Sequence, residues 1–135
     1  VDSCICPVHR TKEKKDSKIQ LLLSIEEEKN MEQCKIDFTS IPWEISSEGA
    51  RSKTYEQNGK QVRLVEFTDE FIETNWCTKG HIGYILEGQL EVNFNENVVV
   101  FNKGDGLFIE SCEKDKHLGK ALTKVVKMIF VEDVL

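Results

Sequence analysis

The sequence predicts an all-β fold, a sandwich or barrel, occupying about residues 34–135. Three observations predict it. Several segments alternate apolar and polar residues with period two, turn residues recur at roughly ten-residue spacing, and the glycines fall between strand-like runs.

Residues 1–33 read as a separate extension, partly helical or irregular. Val1 to Lys15 is polar, with Pro7 as a breaker. Asp16 can cap a short helix running to Asn30, with Ile19, Leu22 and Leu23 on one face. Its charges oppose the macrodipole, since lysines precede it and Glu26, Glu27 and Glu28 end it. Such a helix needs packing partners. Met31 begins a stretch of different composition.

The β signal starts near Cys34. Gln61 to Phe67 is rich in strand formers, and Gln89 to Phe94 alternates so that Leu90, Val92 and Phe94 share the inner face. Asn95-Glu96-Asn97 is a turn before the apolar strand Val98–Phe101. A second turn, Asn102 to Gly106, leads into Leu107-Phe108-Ile109, and Lys124–Glu132 supplies the last strand. Gly88 sits between two strands, where a tight reversal favours a residue without Cβ. No glycine pattern opens a helix in the manner of a phosphate loop.

Composition narrows the function. The formal net charge of -6, with lysine and glutamate mixed along the chain, argues against nucleic-acid binding. The apolar runs Leu21–Leu23 and Val98–Phe101 are far shorter than the ~20 residues that a membrane-spanning helix requires. Five cysteines without a regular framework predict a reducing, cytoplasmic setting rather than a disulfide-stapled one.

Two segments then carry a resemblance. His81-Ile82-Gly83-Tyr84-Ile85-Leu86-Glu87-Gly88-Gln89-Leu90-Glu91-Val92 resembles the first cupin motif, and Phe101 to Glu110, around Gly104-Asp105-Gly106, resembles the second. The match covers about residues 60–132 and is similar to the compact single-domain cupins of the RmlC-like superfamily. It implies a cupin-type antiparallel β-barrel, a jelly roll or double-stranded β-helix, that binds a small molecule and pairs as a homodimer.

The resemblance also implies a metal site, from which this sequence departs. The family's first motif supplies two histidines and a glutamate, and its second supplies one histidine. Aligned on Tyr84–Gly88, Asn75 and Cys77 stand at the histidine positions and His81 at the glutamate position. Asp115 stands at the second-motif histidine, with His117 two residues beyond.

Period two turns His81, Gly83 and Ile85 inward and Tyr84 outward. Cys77, His81 and His117 therefore form a candidate set of one thiolate and two imidazoles, with Asp115 as a substitute third ligand. Zinc, iron, copper or nickel suits these donors better than magnesium or calcium. Trp76, His81, Gly83 and Ile85 are the candidate ligand-binding residues, Gly83 by leaving room beside His81. The alternative for the cysteines is that they are small buried hydrophobes. Cys4-Ile5-Cys6 with His9 reads as incidental.

Three readings of function follow. The barrel binds a small organic ligand without catalysis, or it is a metal-dependent enzyme of dioxygenase or isomerase type using Cys77, His81 and His117, or it is a dimeric scaffold.

Overall fold

The computed structural model describes residues 34–134. The expected helix over 16–30 and the Cys4-Ile5-Cys6 and His9 element lie outside the described residues. From Phe38 onward the chain forms one compact unit.

The described strands are β1 (Glu44–Ser47), β2 (Ala50–Gln57), β3 (Lys60–Thr68), β4 (His81–Glu87), β5 (Gln89–Asn93), β6 (Val98–Asn102), β7 (Gly106–Ile109), β8 (Leu118–Ala121) and β9 (Val125–Asp133). They make a six-stranded sheet in the order β1-β2-β3-β9-β4-β7 and a three-stranded sheet in the order β6-β5-β8. Every pairing is antiparallel. The all-β expectation holds. Among the described residues, no helix is long and apolar enough to cross a membrane.

Local chemistry explains the reversals. β2 and β3 pair in continuous register through Asn58-Gly59, whose φ values are 52° and 75°. Both residues accept the left-handed backbone that a two-residue hairpin demands. At Gly88, between β4 and β5, φ is 84° and an added Cβ would collide with the Val125 carbonyl. Only glycine fits there.

The core is built from alternating inward positions of both sheets. Val65, Met128 and Ile85 lie in one row across β3, β9 and β4. They are buried with Val126, Leu90, Val92, Ala121 and Phe71. Phe67 and Phe71 stack with centroids 3.7 Å apart at the margin of this core.

Toward one end of the six-stranded sheet the same inward faces turn polar. The row after Val65–Met128–Ile85 contains Arg63, Phe130 and Gly83, and the next contains the pair Gln61 and Glu132. His81, opposite Ile109, starts β4 at that level. Apolar rows close one end of the interior and polar rows furnish the other. The site lies at the polar end.

Strand β6 is an edge of the smaller sheet, and Val98, Val99 and Val100 are all exposed. Its apolar run reflects strand preference rather than burial.

Candidate metal centre

The site assembles around a short ladder. Cys77 lies in the segment between β3 and β4, and His117 immediately precedes β8. Their backbones form an isolated antiparallel bridge, with Cys77 N–H donating to the His117 carbonyl and His117 N–H to the Cys77 carbonyl, both at 2.9 Å. Residues that exchange both bonds project their side chains to the same face. The thiol and the imidazole are thereby set side by side.

His81 arrives from the larger sheet. Alternation along β4 leaves Ile82 and Tyr84 exposed and turns His81, Gly83 and Ile85 inward. The His81 ring stacks on Phe130 at 4.8 Å between centroids and meets His117 edge-on at 5.3 Å. One donor atom from each of Cys77, His81 and His117 lies within 4.8 Å of the other two. His117 is 3% exposed, so it belongs to the interior and not to the charged loop before it.

Hydrogen bonds select the tautomers. His117 Nδ1 lies 3.0 Å from the Asp115 carbonyl, which can only accept. Nδ1 therefore carries the hydrogen and Nε2 faces the cluster. His81 Nδ1 lies 2.8 Å from Glu132 Oε2. The Glu132 side chain, 2% exposed, also accepts from Arg63 Nε at 2.8 Å and Nη2 at 3.1 Å and from Gln61 Nε2 at 3.1 Å. Burial alone would raise its pKa, but His81 and Arg63 outweigh that and bring it to about 2. An ionised carboxylate is an acceptor only, so His81 also donates through Nδ1.

The cluster shifts its own protonation. Hydrogen bonds from His117 and His81 bring the Cys77 thiol down to about 5, against the opposing effect of burial. Burial disfavours charge on His81 and His117, yet both pKa values are raised: by the Cys77 thiolate and Glu132 for His81, and by the thiolate and the Asp115 carbonyl for His117. Glu73 stands nearby, with Oε1 accepting from Gly119 N–H at 3.0 Å; burial raises its pKa despite that bond.

These donors fit a transition-metal ion. A thiolate and two imidazole Nε2 atoms are zinc ligands, and tetrahedral zinc would separate them by roughly 3.3–3.6 Å on the usual bond lengths. The three donor atoms lie within 4.8 Å of one another, the same neighbourhood as that spacing.

The remaining sequence candidates are placed as follows. Asp115 contributes its backbone carbonyl to His117, and its carboxylate is not among the grouped donors. The room expected beside Gly83 is filled by the Phe130 ring, which an added Cβ would strike together with the Ile129 carbonyl. Ile85 is 0% exposed within the core. Trp76 is partly exposed, with the Lys116 ammonium 5.2 Å over its ring. Cys34 and Cys77 are free, whereas Cys112 is disulfide-bonded.

Glu132, Arg63, Gln61 and Glu73 escaped the sequence reading. The signal for Glu132 was present: Val126, Met128 and Phe130 set an inward apolar face that ends on a carboxylate. A charged residue continuing a core face needs a buried partner.

No protein-family model matches the sequence, and no curated protein matches it. Solved structures do match. A sugar phosphate isomerase of the cupin superfamily from Silicibacter pomeroyi is 16% identical, with a TM-score of 0.61, covering 72% of this chain and 73% of its own. KdgF from Halomonas sp. is 17% identical, with a TM-score of 0.60, covering 75% of this chain and 96% of its own. An RmlC-like cupin from Shewanella frigidimarina is 16% identical, with a TM-score of 0.57 and coverage of 71% and 87%.

Proposed function

On a domain with the small-cupin fold, we propose that Cys77, His81 and His117 hold one divalent transition ion and leave a coordination position for a small organic ligand. The barrel of residues 34–135 is the functional unit in this reading. The convergence of three competent donor atoms within 4.8 Å carries it. Zinc suits the mixture of sulfur and nitrogen, and iron, copper or nickel accepts it as well.

When bound, the ion supplies Lewis-acid polarisation of a ligand oxygen or nitrogen. The chain's own residues do the rest. The Cys77–His117 ladder presents two donors from a rigid backbone pair. His81, stacked on Phe130, presents the third. The half-exposed Lys79 ammonium lies 3.7 Å from Glu132 beside the centre. In its enzymatic form this reading is a cupin isomerase or dioxygenase, and in its other form a ligand-binding module.

Metal analysis of protein purified without chelator tests the proposal. About one equivalent of zinc, iron, copper or nickel, lost in His81→Ala, supports it. Metal-free protein whose thermal stability does not respond to added ions overturns it, because an ion bound by the native state raises stability by linkage.

One observation also favours a homodimer. Phe108, Ile82 and Val131 are register neighbours across β7, β4 and β9 and are 73%, 49% and 46% exposed. An apolar row of this kind on an outer face suits contact with a second copy.

A further inference from the structure

Glu132 is the last inward residue of β9, after Val126, Met128 and Phe130, all buried in the core. A carboxylate there is costly unless its oxygens are bonded. Oε1 accepts from Gln61 Nε2 and Arg63 Nε, and Oε2 accepts from Arg63 Nη2. These three bonds from β3 fix the carboxylate in place. Oε2 also meets His81 Nδ1 at 2.8 Å, reaching across to β4, and the half-exposed Lys79 ammonium stands 3.7 Å from the same oxygen.

We infer that Glu132 is the positioning residue of the centre: it keeps the hydrogen of neutral His81 on Nδ1 and orients the ring so that Nε2 is the atom offered to the metal. This rests on the metal-centre reading. Two features make the arrangement directional. Arg63 and Gln61 hold Glu132 from the side away from His81, so the carboxylate is anchored independently of the ring that it orients. Phe130, two residues earlier on the same inward face, stacks against the ring at an interplanar angle of 22° and leaves it little freedom to turn. The absence of a Cβ at Gly83 is what admits Phe130 there. Outer-sphere carboxylates of this kind fix tautomer and orientation in metal-bound histidines, and their loss costs affinity.

The test combines two measurements on the full chain. Long-range proton–nitrogen correlation spectra of 15N-labelled protein, taken in the alkaline range where imidazoles are neutral, report the His81 tautomer without and with one equivalent of zinc. Competition with a chromophoric chelator gives the zinc affinity of the wild type and of Glu132→Gln. The expected result is His81 protonated at Nδ1 in both spectra and coordinated through Nε2. Zinc affinity should fall roughly 10–100-fold in Glu132→Gln, and the metal-free variant should mix tautomers while still unfolding cooperatively. Coordination through Nδ1, or wild-type affinity in Glu132→Gln, would overturn the inference. Should the variant fail to fold, the wild-type spectra decide alone. A wild-type protein that takes up none of zinc, iron, copper or nickel sinks the metal-centre reading instead. The two failures stay distinct because the tautomer is also read without metal.

Discussion

Cys77 and His117 exchange both backbone hydrogen bonds at 2.9 Å, so two residues from distant parts of the chain share a single rung of antiparallel sheet. That rung decides which side chains meet. Sequence spacing links Cys77 to His81, but only the rung brings His117 to them.

The first prediction concerns the thiolate as ligand. Cys77→Ser keeps the rung, which is made by backbone, and replaces a soft anionic donor with a neutral hydroxyl. Zinc affinity of the folded protein should fall at least tenfold (about 1.4 kcal/mol). Unaltered zinc affinity in a chelator competition would remove Cys77 from the donor set.

The second follows from the depressed thiol. In metal-free protein the Cys77 pKa is about 5, well below the ordinary thiol value. A group with a lowered folded-state pKa contributes stability that is complete above its unfolded value and lost as pH falls through its folded value. The window therefore runs from about pH 8.5 down to about pH 5. Histidine groups act oppositely: their raised pKa values give stability that is present below the unfolded value and lost as pH rises through the folded one. The observable titration belongs to the whole cluster. Thiolate absorbance in the wild type minus that in Cys77→Ser should show a step near pH 5. A single step above about pH 8 contradicts the geometry.

Gly83→Ala is the third. An added methyl would meet the Phe130 ring and the Ile129 carbonyl, and backbone cannot yield as a flexible side chain does. Overpacking of this kind costs about 1–3 kcal/mol. Urea unfolding should show that loss, and the displaced Phe130 should weaken zinc binding as well. A variant of wild-type stability would mean that the ring has room to move.

Ile85→Ala separates a core residue from a ligand-lining one. Ile85 is fully buried between the sheets, so truncation should cost about 2–5 kcal/mol in chemical denaturation. Zinc affinity of the folded fraction should stay near wild type. Little loss of stability would instead place Ile85 against an open cavity.

For the outer apolar row, Phe108→Ser is informative because the side chain is 73% exposed and contributes little to the monomer's core. Light scattering after size-exclusion chromatography should show a dimer in the wild type and a shift to monomer in the variant. A monomeric wild type ends the homodimer proposal.

Several features were legible without coordinates. Alternation along Gln89–Phe94 identified Leu90 and Val92 as core residues, and both are buried. Gly88 was read as a reversal and adopts positive φ. Asn58-Gly59 is a strong hairpin signal that joins the polar strand β2 to β3, and β2 in turn pairs with β1. β2 was easy to miss because its inward positions, including Ala50 and Ser52, are small or polar. Strand β8, Leu118-Gly119-Lys120-Ala121, is too short and mixed to alternate visibly.

What the sequence by itself determined was local: which segments extend, where they reverse, and which way His81 faces along its own strand. These follow from side-chain period and turn chemistry, which act between near neighbours. Only the tertiary structure decided that Phe130 fills the space beside Gly83, that Glu132 stands behind His81, and that Cys77 meets His117. Those relations depend on which strands pair and in what register, and a shift of one residue would send each of these side chains to the opposite face.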